Sequence, residues 1–168
     1  SITGNKKKAY LIQKLFYVNS LLWKIRNAWI MIIWSRLWEI MEYSVTLKIQ
    51  NSSSILLKLD DANSPKTVKE FVEKLPFKVD LNVWGEEIYS SKSPIAQPEE
   101  NAKHLVSLYD VAYWPTGKAI CLFFGPTPIG NPGEITPASA VNVIGKIITT
   151  DKTILDDVDG NRAEFSLQ

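Results

Sequence analysis

Residues of the types that do chemistry are few in this chain and widely spaced. The paired carboxylates Glu86 and Glu87 directly follow Trp84-Gly85 at what reads as a strand junction. Adjacent side chains on a strand point to opposite faces, so at most one of the two faces a pocket. That one would hydrogen-bond a ligand or act as a general base beside aromatic walls. Glu86 is carried as the candidate, with Trp84 beside it, while Glu87 reads as a solvated turn residue. His104 is the only histidine, and no second His or Cys cluster accompanies it to complete a zinc site. It reads as solvated or packed in a loop, and neither a metal nor a cofactor is expected. Cys121 lies inside the apolar run AICLFF, which suits a buried structural thiol better than a nucleophile and excludes an intrachain disulfide. No Gly-x-Ser-x-Gly elbow is present, and Gly125, Gly130 and Gly133 sit in a proline-rich loop rather than before a helix.

The second candidate group is aromatic and proline-rich. In Phe124-Gly125-Pro126-Thr127-Pro128 the prolines fix backbone dihedrals and the glycine permits a close approach. Such a loop either walls a ligand cleft at little entropic cost or forms a rigid barrel corner. Tyr113 and Trp114 alternate across a strand, so one belongs to the core and the other is available to a cleft. Trp84, Glu86, Tyr113, Trp114, Phe124, Thr127 and Pro128 together make up the expected ligand cleft.

The elements that must position these residues are mostly strands. Val45, Leu47 and Ile49 alternate with polar residues, as do Ile55, Leu57 and Leu59, with an Asn51-Ser52-Ser53 turn between them. Ser64-Pro65 opens a short helix, Pro65 to Leu75, with Ser64 as N-cap and Pro76 after its end. Val79, Leu81 and Val83 begin another strand, and a second one ends at Tyr89. Val106 to Trp114 and Lys118 to Phe124 form a pair joined by Pro115-Thr116-Gly117, and Val141 to Ile148 reads as the closing strand. Asp151 to Gln168 reads as a polar extension with a turn at Asp159-Gly160. Many short strands with turn signals, and no strand–helix alternation, predict a barrel of about eight strands with the helix capping one opening.

The 168 residues, 45% apolar and 22% charged, have room for one globular domain and an appendage. Residues 1–40 carry a net charge of +6 and residues 41–168 a net charge of −5, and four of the six tryptophans precede residue 40. A boundary near Glu39 to Met41 follows. It separates a helical extension, 1–42, from the barrel, 43–150, and the tail, 151–168. Ala9 to Ile40 reads as a long amphipathic helix, with Leu11, Leu15, Val18, Leu22, Ile25, Trp29 and Ile32 at three- and four-residue steps. Its uncharged windows, Leu15 to Trp23 and Asn27 to Ser35, are far shorter than the roughly twenty residues a bilayer needs. No small-residue cleavage site follows, so a cleavable signal fits poorly. Trp23, Trp29, Trp34 and Trp38 are expected to pack against a neighbouring subunit in a homo-oligomer. A peripheral membrane contact is not favoured, and Met41 is an alternative natural start. A cytoplasmic location is expected.

The segments SPKTVKEF, WGEEIY, YDVAYWPTGKAICLFFGPTP and ITPASAVNVIGKI, in this order, resemble the small cyclophilin-like β-barrel proteins of archaea and thermophilic bacteria, a family whose biochemical role is mostly unassigned. The resemblance covers about residues 43–150 and implies a mainly β fold, a closed antiparallel barrel with one short capping helix. It also implies a cleft containing the residues named above. Cyclophilins isomerise X-Pro bonds, whose barrier is about 18–20 kcal/mol, with an arginine near the prolyl nitrogen. Here arginine occurs only at Arg26, Arg36 and Arg162. Where cyclophilins carry Phe-His-Arg, this chain reads Phe77-Lys78-Val79-Asp80, and a lysine lacks the planar fork. The Gln-Gly-Gly-Asp motif is missing as well.

The expected function is therefore binding of a small molecule or peptide in an aromatic, proline-walled cleft. One alternative is an enzyme, either a weak prolyl isomerase or a distant analogue of the cyclophilin-like domains in amide-cleaving and ATP-using enzymes. Another is a structural, oligomeric module. Nucleic acid is not an expected partner for the acidic barrel.

Overall fold

The computed structural model describes residues 2–37 and 39–168, with side chains described for 11–33 and 39–168. Two compact units divide the chain at Glu39–Ile40.

The first unit is a single helix, α1 (Ile2–Leu37). The expected stripe of Leu11, Leu15, Val18, Leu22, Ile25, Trp29 and Ile32 is present. Ile12, Phe16, Tyr17, Leu21, Met31 and Ile33 stand between its members and are exposed as well. Apolar side chains thus occupy most of the helix circumference. The expected contacts of the Trp34 side chain and of Trp38 lie outside the described residues.

The second unit is a closed barrel of eight strands with every neighbouring pair antiparallel. The strands are β1 (Glu42–Ile49), β2 (Ser54–Asp60), β3 (Phe77–Trp84), β4 (Glu87–Ser90), β5 (Asp110–Trp114), β6 (Ala119–Phe123), β7 (Asn142–Ile147) and β8 (Arg162–Leu167). They close in the order β1-β2-β7-β5-β6-β4-β3-β8, so no edge is left unpaired. Alternation sends one side chain of each pair inward: Val45, Leu47 and Ile49 of β1 meet Ile55, Leu57 and Leu59 of β2.

Two expectations are corrected. Val141 to Ile148 is not the last strand of the barrel: β7 pairs with β2 and β5, and a further strand follows it. The segment 151–168, expected as a polar extension, forms a 3-10 turn (Lys152–Asp156) followed by β8, which closes the barrel between β1 and β3. Arg162-Ala163-Glu164-Phe165 conceals a strand because only Ala163 and Phe165 face inward, while the polar residues between them face out.

Helix α2 (Pro65–Lys74) fills one end of the barrel. Phe71 meets Phe77 and Phe165 edge-on, with ring centroids 5.2 and 5.4 Å away, and Val68 joins the same cluster. Ser64 occupies the N-cap position, but its hydroxyl donates to the Glu100 carbonyl instead of capping the helix. The cap comes from 33 residues away: the Glu100 carboxylate accepts from the Lys66 and Thr67 amides, each at 2.9 Å, and from the Thr67 hydroxyl at 2.8 Å. Burial works against the charge of Glu100, but these bonds outweigh it and hold its carboxyl below the usual range. Asn142 locks the same knot by accepting from the Glu100 amide and donating to Thr67 and to the Pro98 carbonyl. The loop after β4 is thereby tied to α2.

Candidate functional site

Strands β5 and β6 are buried on both faces. Their inner face joins the barrel core. Their outer face, with Ala112, Cys121, Phe123 and Val141, makes a second apolar cluster. Two isolated bridges, Lys103 with Val141 and Val106 with Ile135, hold the covering loops over it. The cover is incomplete and leaves a cavity of about 210 Å³.

Strand register assembles its walls. Trp84 pairs with Glu87 across the β3–β4 hairpin, and Tyr89 pairs with Cys121 across β4–β6. Trp114, opposite Ala119, shares that face. All five line the cavity, and Pro137, Ala138 and Val141 close it from the loop side. Trp114 is pinned, since its indole N–H donates to Ser139 Oγ at 2.6 Å. Gly117 makes room for it: a Cβ there would stand 2.3 Å from the indole Cε3 and Cζ3. The Pro115-Thr116-Gly117 turn therefore needs its glycine for the tryptophan, while Lys118 takes the left-handed conformation, φ 51°.

Of the expected cleft residues, Trp84 and Trp114 come together in this cavity and the other five lie elsewhere. Tyr113 points into the barrel, fully buried, and its hydroxyl donates to the Ile95 carbonyl at 2.9 Å. Phe124 belongs to the same interior. Thr127 is spent on the loop, donating to the Thr136 carbonyl at 2.5 Å. Pro128 packs against Gly85, which turns the hairpin at φ 62°. Glu86 pairs with Lys152 at 3.2 Å, both half exposed. The WGEEIY and FGPTP segments do meet, but through backbone: the Glu86 amide donates to the Pro126 carbonyl and the Phe124 amide to the Glu86 carbonyl, both at 2.9 Å.

The carboxylate facing the cavity is Glu87, expected from sequence to be a solvated turn residue. It is 4% exposed. The hairpin turn consists of Gly85 and Glu86 alone, so Glu87 is already the first residue of β4 and faces the outer cluster. Burial pushes its carboxyl up to about 7, against a hydrogen bond from the Cys121 thiol that pulls it down. One oxygen, Oε2, is buried without a hydrogen-bond partner. Burial and the neighbouring Glu87 together push the Cys121 thiol well above its ordinary value, so it stays protonated and is a poor nucleophile. His104 is exposed. Among the described residues no group of three or more His, Cys, Asp or Glu could hold a metal, and no helix is long and apolar enough to cross a membrane.

Arg162 begins β8 and so does belong to the barrel. It reaches Asp80 at 3.5 Å and lines a polar groove with Lys48, Gln50 and Lys78, not the Trp84–Trp114 cavity.

The chain matches the cyclophilin-like family model over residues 43–166. Among solved structures, a hypothetical protein from Archaeoglobus fulgidus, determined in solution, is similar at 39% identity with a TM-score of 0.66. The match covers 78% of this chain and 98% of the archaeal one. No curated protein matches. With the family model running from β1 into β8, over residues 43–166, this chain belongs to the cyclophilin-like family.

Proposed function

We propose that the barrel is a binding module that takes a small molecule, or a side chain of a short peptide, in the Trp84–Trp114 cavity. The observation that carries this reading is the cavity itself, in which two indoles and a phenol surround one buried carboxylate whose Oε2 lacks a partner. Ligand sites are mostly apolar concavities with a few placed polar groups, and a fold gains nothing from a buried unsatisfied oxygen. Tyr113, Phe124, Thr127 and Pro128 support the wall in this reading, and Glu86 fixes the hairpin. A fragment screen of mixed charge, followed by protein-observed NMR, tests it. Shifts centred on the Trp84 and Trp114 indole N–H signals are expected; a screen in which no fragment moves them overturns it.

Prolyl isomerisation is a weaker reading, because Arg162 lines a different groove. A protease-coupled assay on an X-Pro peptide should show little acceleration beside a true cyclophilin.

Helix α1 supports a second role, self-association. Phe16, Tyr17, Trp23 and Trp29 are 58–73% exposed. Exposed apolar surface of this kind is what association removes from water. A chain beginning at Met41 should keep the barrel and lose mass in light scattering. Both chains running at their own monomer mass would refute the association.

A further inference from the structure

The cavity is chemically one-sided. Trp84, Tyr89 and Trp114 present aromatic surface, Glu87 is the only acidic side chain in the wall, and no Lys, Arg or His lines it. Aromatic faces carry the negative side of the ring quadrupole and attract cations by about 0.5–2 kcal/mol each. The titratable groups facing Glu87 are Tyr89 on its own strand and Cys121 from β6. Strands β3 and β5 present Trp84 and Trp114, and the covering loop presents Pro137, Ala138 and Val141, none of which ionises. Nothing in the wall can neutralise a Glu87 carboxylate, and its buried Oε2 has no hydrogen-bond partner in the fold.

We propose that the Trp84–Trp114 cavity recognises a small protonated amine, whose N–H group donates to Glu87 and whose alkyl groups lie against Trp84, Tyr89 and Trp114. This rests on the cavity being a ligand site. A quaternary ammonium would gain the aromatic contacts but offer the Glu87 carboxylate no donor, so an amine that still carries N–H is preferred. The carboxyl titrating near 7 adds a proton linkage. Because the ammonium favours ionised Glu87, binding below that pH releases the Glu87 proton to solvent. The same head group ends a lysine side chain, so a free amine and a lysine-bearing peptide share the chemistry.

The test titrates the full chain with piperidinium, with N,N-dimethylpiperidinium and with uncharged tetrahydropyran, following the Trp84 and Trp114 indole signals at pH 6 and pH 8. Piperidinium should bind about tenfold more tightly at pH 8, because a carboxyl titrating near 7 goes from about one-tenth to about nine-tenths ionised. The quaternary analogue should bind more weakly. Glu87→Gln should remove the pH dependence and lose about tenfold or more in piperidinium affinity at pH 8, as expected for a charge-assisted bond. Trp84→Leu should narrow the preference for piperidinium over tetrahydropyran. Blocked N-acetyl-lysine methylamide, run alongside, identifies the source: tighter binding than piperidinium points to a peptide, weaker binding to a free amine, and both support the head group. Tetrahydropyran outcompeting piperidinium at both pH values would overturn the amine proposal while leaving the cavity a ligand site. Piperidinium binding unchanged by Glu87→Gln, or no indole shift with any probe, overturns it too, and the mixed-charge screen then judges the cavity separately.

Discussion

Tyr113, Ile88 and Leu122 point into the barrel, whereas Trp114, Glu87, Tyr89 and Cys121 leave the same three strands on the other side. Both faces are buried, but they are filled differently. The inner face is closed by α2, with three phenylalanine rings in mutual contact. The outer face holds a thiol, a carboxyl and about 210 Å³ of space. A wall selected only for stability would fill that space and remove the charge, since voids and unpaired polar groups both cost free energy. Stability therefore resides on the inner face, and the outer face carries features that folding does not require.

Four substitutions can break or sharpen this contrast. Phe71→Ala, in the inner core, should have the largest effect, about 3–5 kcal/mol in denaturant unfolding. A loss comparable to a surface substitution would mean that α2 does not secure the barrel. Glu87→Gln should act in the opposite direction. The Glu87 carboxyl is raised in the folded state, so the stability it contributes is present below the unfolded value of 4.5 and lost as pH rises through about 7. At pH 8 the glutamine variant should thus be the more stable protein, by at most about 3 kcal/mol, and the gap should close towards pH 4. A variant less stable than the parent at pH 8 would show that the fold stabilises the Glu87 charge by more than the Cys121 thiol.

Gly117→Ala should cost about 1–3 kcal/mol through overpacking and shift the Trp114 indole N–H, because its Cβ would meet the ring at 2.3 Å. An unmoved indole signal would mean that Trp114 is not pinned. Glu100→Ala should cost about 1 kcal/mol, the usual value of an N-cap. Here the sign reverses relative to Glu87: a depressed carboxyl stabilises above 4.5 and fades as pH falls below it. Comparing stability at pH 7 and pH 3 against the parent checks this, with the difference expected to shrink in acid.

These carboxylates also mark how far the chain could be read before folding. Glu100 lies in a polar loop, and nothing near it in sequence shows that it caps a helix that begins 35 residues earlier. Glu87 sits in a Trp-Gly-Glu-Glu run that suggests a turn, and its exposure depends on where the hairpin turn ends. A two-residue turn at Gly85-Glu86 makes Glu87 a strand residue, and a shift of one position would have exchanged it with Glu86. AICLFF shows no alternation because β6 is covered on both faces, so its pattern cannot say which side chains look inward.

Local chemistry in the sequence determined the barrel's β1–β2 hairpin, α2 with its proline start, the Pro115–Gly117 turn and the distinct α1, because periodicity and turn residues act over a few positions. It also singled out Trp84 and Trp114, which line one cavity. Closure by β8, the Glu100 cap, and the choice of Glu87 over Glu86 and of Trp114 over Tyr113 were decided only by the tertiary structure. Each depends on strand register or on a contact between distant segments, and register turns on one residue's difference in a loop length. The cavity belongs to the same class, since it is the space left where two loops fail to cover a sheet.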